Sequence, residues 1–226
     1  MFDVLDSRAL GRADCYAQRF MRPGDYRYDV VPAVGHVIST DRPFVVRVKD
    51  GAETAEMSQH NIRITRSGGR FKISDIQIEI EMGDLVLWNC ADGGDIRFAV
   101  VGDHDFFGNT RLVNECGFMH AFGMPGDYHW VDVHGSAARG TVRVKDPGIK
   151  GEAGLKRWQE RLSEGTLVMI TGDEVAPAEV EIVTGQTVFF TVVKGPGISI
   201  TDARLLDPPP GRPQTAQQKP TPQPHQ

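Results

Sequence analysis

The chain repeats itself, and the spacing of the repeats limits its possible folds more than any other feature. Pro23-Gly24-Asp25-Tyr26-Arg27-Tyr28 returns as Pro125-Gly126-Asp127-Tyr128-His129-Trp130, at an offset of 102. Glu79-Ile80-Glu81-Met82-Gly83-Asp84-Leu85-Val86 returns at the same offset of 102 as Glu181-Ile182-Val183-Thr184-Gly185-Gln186-Thr187-Val188. Val46-Arg47-Val48-Lys49-Asp50 recurs unchanged as Val142-Arg143-Val144-Lys145-Asp146 at an offset of 96, so the first copy carries six more residues in the loop before it. Cys15 and Cys116 stand at similar distances before their Pro-Gly-Asp-Tyr turns. One offset shared by two distant segments marks a duplicated unit.

Inside the repeats the hydrophobic period is two. Ile76, Ile78, Ile80 and Met82 alternate with Gln77, Glu79 and Glu81, and Gly83-Asp84 then turns into Leu85-Val86-Leu87-Trp88. That is a half-buried strand, a bend and a more fully buried strand. Ile96, Phe98 and Val100 resume the period after Gly93-Gly94, and the segments from Pro125 and from Gly140 read the same way. One segment predicts a helix: Leu155, Trp158 and Leu162 fall at i, i+3 and i+7 between Gly151 and Gly165. Alternating strands punctuated by 25 glycines and 14 prolines predict an all-β fold, a sandwich or barrel.

The order of the repeated pieces shapes the expected domains. The N-terminus copies the back half of a central unit, and the C-terminus copies its front half. Neither end segment covers its own apolar face or strand edges. The expectation is a central domain over 51–148, a second domain built from 10–50 plus 166–206 and circularly permuted around the first, and a helical linker over 149–165. The two ends close within one chain or between successive chains. Residues 207–226 hold seven of the prolines and five glutamines, a composition that predicts a disordered tail.

Charge and motifs remove several function classes. Lys+Arg number 25 against 30 Asp+Glu, a net charge of -5, and the pI is about 5.8. Nothing in that balance offsets phosphate repulsion, so no nucleic-acid or acidic-membrane partner is expected. No apolar run approaches the ~18 residues of a membrane helix. The opening Met1-Phe2-Asp3-Val4-Leu5-Asp6 lacks a basic n-region and an apolar h-region, so a cytoplasmic protein without membrane insertion is expected. Three scattered cysteines, Cys15, Cys90 and Cys116, fit a reducing compartment. The chain has no CxxC, HExxH, P-loop or GxSxG motif. No nucleophile, base and orienting acid assemble from the sequence, and the chain reads as a non-enzyme.

These strand and turn residues resemble the cupredoxins, the plastocyanin-like and cytochrome-oxidase-subunit-II-like copper domains. Ile-x-x-Gly-Asp-x-Val-x-Trp-Asn runs from Ile80 to Asn89. The closing Pro-Gly-x-Tyr-x-Trp, His and Gly-x-Val-x-Val run from Pro125 to Val144, and Val180, Ile182, Gly185 and Val188 repeat the front half. The likeness covers most of 13–206. It implies a Greek-key β-sandwich of two cupredoxin-like units and, by family habit, electron transfer through one copper. The family's site takes a His after the second front-half strand, then Cys, His and usually Met on the closing loop. In the central copy the first position falls near Gly94-Asp95, Asp132 stands at the thiolate position, Ala138 lies near the Met position, and only His134 remains. In the other copy neither Val30-Val31-Pro32-Ala33 nor Gly197-Ile198 supplies a ligand. The resemblance therefore implies a scaffold with degenerate copper sites.

Other residues carry ligand chemistry. Cys116, His120 and Met124 have spacing similar to copper loops, yet they precede the Pro-Gly-Asp-Tyr turn, whereas the family's ligand loop follows it. Cys116, Phe118, His120 and Phe122 also alternate like one face of a strand, so a buried strand and a metal site stand as alternatives. His129 and His134 with Asp132 form a second candidate metal set, against solvated strand ends. Trp88 and Trp130 read as core, the Gly-Asp pairs as turns, and Asp103-His104-Asp105 as a polar loop. The expected function is a copper-free, cofactor-free scaffold or binding protein with a protein partner or self-association. The alternative is a copper-binding electron-transfer or carrier protein using Cys116, His120, Met124, His129 or His134.

Overall fold

Apolar side chains at every second position make strands, and the duplicated spacing makes two equivalent sets of them. The computed structural model describes residues 3–33, 42–50, 57–67, 70–90, 97–103 and 107–206. The first set is β1 (Asp14–Arg19), β2 (Gly24–Pro32), β3 (Phe44–Lys49), β4 (Gln59–Ser67), β5 (Arg70–Ile73), β6 (Gln77–Glu81), β7 (Leu85–Cys90) and β8 (Phe98–Gly102). The second is β9 (Cys116–Ala121), β10 (Gly126–Val131), β11 (Arg139–Lys145), β12 (Thr166–Thr171), β13 (Glu174–Ala176), β14 (Glu179–Val183), β15 (Thr187–Lys194) and β16 (Thr201–Asp202). The helix expected between Gly151 and Gly165 is α1 (Gly151–Leu162). Its Trp158 Nε1 donates to Thr184 O at 2.8 Å, and Gly185, at φ +94°, leaves room for Leu162.

Eight strands form one long sheet in the order β13-β12-β15-β9-β1-β7-β4-β5. Two four-stranded sheets, β14-β11-β10-β16 and β6-β3-β2-β8, pack against its inner face. Tyr28 of β2 stands edge-on to Trp88 of β7 at 5.5 Å, and Trp130 of β10 stands edge-on to Phe190 of β15 at 5.6 Å. The result is the all-β sandwich that the alternation predicts, as two sandwiches sharing one sheet. Among the described residues no helix is long and apolar enough to cross a membrane. Met1, Ile96, the Gly93-Gly94 turn and the 207–226 tail lie outside the described residues.

The division into a central domain over 51–148 and a second domain from both ends is replaced by a different pairing. The strands within 10–50 pair with those of 59–102: β1 with β7, β2 with β8, and β3 in parallel with β6. The strands within 116–145 pair with those of 166–202: β9 with β15, β10 with β16, and β11 in parallel with β14. Each back half is therefore completed by the front half that follows it, and the two units are tandem. The repeat identifies strand types but not which copy supplies the partner. Local closure orders far less chain than joining residues near the two termini.

The two units still exchange one short arm each. Leu5 and Phe107 occupy equivalent positions, 102 apart. Asp202 N–H donates to Leu5 O at 2.8 Å, and Gly102 N–H donates to Phe107 O at 3.0 Å. Isolated bridges Asp6–Thr201 and Val101–Gly108 continue the same exchange. The arm before β1 thus lies on the second unit's last strand, and the arm before β9 lies on the first unit's last strand. Phe107 enters the first unit's core, stacked on Trp88 at 5.9 Å and edge-on to Phe20 at 5.5 Å. Gly102 is required there, since a Cβ would stand 2.5 Å from Phe107 O. Phe107→Ala should cost about 3–5 kcal/mol by emptying a filled aromatic site. Denaturant unfolding measures it, and a loss near zero would remove the arm from the list of structural elements.

Candidate functional site

The β10–β11 loop and the segment of strand β9 hold the ligand-type residues that the sequence singles out; the outer face of the long sheet is a further candidate that only the structure brings into view. In the loop, Asp132 is an organiser of backbone. Its Oδ1 accepts from Ser199 N at 2.7 Å and its Oδ2 from Ser136 N at 2.8 Å. Burial pushes the Asp132 carboxyl up, but N–H donors from Ser136, His134 and Ser199 outweigh it and hold the group below the usual carboxylate range. Ala138 is buried, and its N–H donates to Ser136 Oγ at 3.2 Å. His134 is exposed, with Nε2 donating to Thr110 O at 2.9 Å. His129 is exposed on β10, with Nδ1 3.0 Å from Thr141 Oγ1. His129 and His134 thus turn to different anchors, and Asp132 is occupied by backbone donors.

On β9 the alternation holds. Cys116, Phe118 and His120 are buried, as is Phe122 just past the strand, while Met124 is exposed. Cys116 and His120 lie four residues apart on one strand face, so their Cα atoms are ~13 Å apart and cannot share an ion at bonding distance. Burial pushes the Cys116 thiol up to about 12, which keeps it protonated near neutrality. Burial, reinforced by the Asp14 charge, pushes Cys15 to about 12 as well. His120 has a partner that sequence reasoning missed: its Nδ1 stands 2.5 Å from Asp14 Oδ1 across the β1–β9 junction. Asp14 Oδ2 also accepts from Gly11 N at 2.6 Å and lies 3.6 Å from Arg97 Nη1. Both side chains of the pair are almost fully buried. The pair ties one unit to the other and leaves His120 Nε2 without a hydrogen-bond partner.

Among the described residues no group of three or more His, Cys, Asp or Glu side chains could hold a metal ion. The described residue of the Asp103-His104-Asp105 loop, Asp103, pairs with Arg42; Gly94-Asp95, His104 and Asp105 lie outside the described residues. Trp88 and Trp130 are core residues, 0% and 1% exposed. The repeated turns are structural in both units: Tyr26 Oη donates to Arg22 O at 2.8 Å, and Tyr128 Oη to Met124 O at 2.9 Å.

The outer face of the long sheet carries an exposed apolar row and a groove. Leu167 and Met169 of β12 and Phe189 and Val193 of β15 are exposed there, 51%, 46%, 36% and 37%. An open groove of about 350 Å³ crosses β7, β1, β9 and β15, with Ala17 paired to Gly117 on its floor and Leu87 and Met119 beside them. The sequence carries a signal for this face. Thr187-Val188-Phe189-Phe190-Thr191-Val192-Val193 is apolar at both parities, which predicts a strand covered on both faces. Among the described residues the inner face of β15 is buried, whereas Phe189 and Val193 on its outer face stay 36% and 37% exposed.

Asp132→Ala should cost about 1–3 kcal/mol by orphaning backbone donors. Because the folded carboxyl titrates below its unfolded value, that stabilisation is complete well above pH ~4 and is lost as pH falls through the folded value. Unfolding curves of wild type and Asp132→Ala should therefore converge in acid; a constant gap would disprove the assignment. Comparison of the chain with protein-family models, with curated proteins and with solved structures finds no match.

Proposed function

We propose that this chain is a protein-binding scaffold: two cupredoxin-like units of Greek-key type that work without copper or another cofactor, with the outer face of their common sheet as the binding surface. The observation that carries the reading is the exposed row Leu167, Met169, Phe189 and Val193 beside a groove that spans both units. Contiguous apolar surface with a concave centre marks a docking site in a folded protein. The candidate ligand residues have other partners. Asp132 organises a loop, His134 anchors on Thr110, and His120 is engaged with Asp14. No step of chemistry is assigned to the chain.

The test uses an apolar fluorescent dye on dilute protein, beside anaerobic copper loading. The pair Phe189→Glu and Met169→Glu should abolish most dye binding while the chain stays folded at a cost of about 1–2 kcal/mol, because the two side chains are 36% and 46% exposed and only their covered parts lose packing. Dye binding that ignores these substitutions would remove the face from consideration. An intense visible band on copper loading would signal a copper–thiolate bond and restore the electron-transfer or copper-carrier reading.

A further inference from the structure

Arg19 and Glu115 stand side by side at one end of the β1–β9 junction. Arg19 N–H donates to Glu115 O at 2.8 Å, the two side chains approach to 3.9 Å, and both line the groove. The junction pairs Tyr16 with Phe118, residues that are themselves 102 apart, so an internal two-fold axis runs through this point, perpendicular to the sheet. Arg19 and Glu115 lie on opposite sides of that axis at the same height along the strands.

This placement selects an occupant for the docking face. A second copy brought face to face by a two-fold axis parallel to the strands exchanges left and right but keeps height. It sets β1 over the second copy's β9, Ala17 over Gly117 and Val193 over Leu85. It also sets each Arg19 against the other copy's Glu115, twice. An axis running across the strands would carry Arg19 to the far end of β1, where among the described residues no acidic side chain lines the groove. The small side chains of Ala17 and Gly117 let the two sheets approach closely at the centre.

Glu115 carries a second mark. Its φ is 52°, the one left-handed non-glycine conformation among the described residues. Glycine or asparagine adopts that conformation at lower cost, so a glutamate there is held against a backbone preference. Its twin position, Ala13, is not left-handed. The strained residue is the one that supplies the groove's acidic group.

We propose that this chain forms a closed two-fold dimer through the outer face of β15, β9, β1 and β7, sealed by reciprocal Arg19–Glu115 ion pairs between copies. The inference rests on the reading of that face as a docking surface. The contact is isologous, so it closes at two copies and does not propagate.

Sedimentation of the full chain tests it. Wild type should show a reversible species of twice the 24.9 kDa chain mass. Arg19→Glu alone and Glu115→Arg alone should each raise the dimer Kd about a hundredfold, since each sets like charges opposed at two points. Mixing the two variants should restore a dimer of wild-type affinity. The Arg19–Glu115 pair inside each chain is broken in both variants and mixing cannot mend it, so recovery reports contact between chains. Glu115→Gly should weaken the dimer while leaving folding stability equal or higher. A chain that stays monomeric, an open series of higher masses, or no recovery on mixing would overturn the dimer. A monomer whose dye binding still depends on Phe189 overturns only the second copy and leaves the docking face; a monomer whose dye binding does not depend on it fails both readings.

Discussion

The antiparallel pairing of β1 with β9 is the contact on which the rest of the molecule depends. It joins two tandem units into one eight-stranded sheet and places Tyr16 opposite Phe118 at the internal two-fold axis. Without it each unit would present a six-residue edge strand open on one side, the type of edge that natural sheets cover or blunt. With it, among the described residues, the edges of the long sheet are β5 and β13, of four and three residues. Short edges template little further pairing, so growth at the sheet ends is disfavoured and the broad outer face becomes the available surface.

The junction is also a place where the two copies differ. Asp14 and His120 form a buried polar pair on one side of the axis, and the equivalent residues on the other side are Cys116 and Gln18. Gln18 is satisfied differently: its Oε1 accepts from Tyr16 Oη at 2.9 Å and its Nε2 donates to Asn114 O at 3.0 Å. A symmetric pair of units thus carries an asymmetric set of buried hydrogen bonds. Buried polar groups are costly unless partnered, so each such network favours one registration of the two units over shifted ones. The turn before β7 shows the same divergence. Asp84 accepts from Ser58 N, Glu81 N and His60, whereas its equivalent Gln186 bonds Val183 N and the carbonyl of Arg161 at the end of α1.

Much of this was legible in the residues. The period-two pattern located several of the strands, the offset of 102 identified equivalent elements, and the alternation of Cys116, Phe118, His120 and Phe122 offered a buried strand as one of two alternatives, the one the structure shows. The pairing of units was misread because the motif order is the same for a permuted pair and for a tandem pair. Asp14 was missed because its partner lies 106 residues away, and a single acidic residue at a strand start looks like any solvated end. The apolar outer face was written in β12 and β15 but masked by their central position, since a strand apolar at both parities ordinarily signals burial on both sides.

By itself the sequence determined the strands of the repeats, the helix and the duplication. These depend on local periodicity and residue chemistry, which need no knowledge of what lies across the sheet. Only the tertiary structure decided which front half completes which back half, where the arms of Leu5 and Phe107 insert, and that His120 meets Asp14. Those outcomes follow from competition among equivalent apolar faces and edges. Such competition is settled by chain closure and by which polar groups find partners when the strands come together.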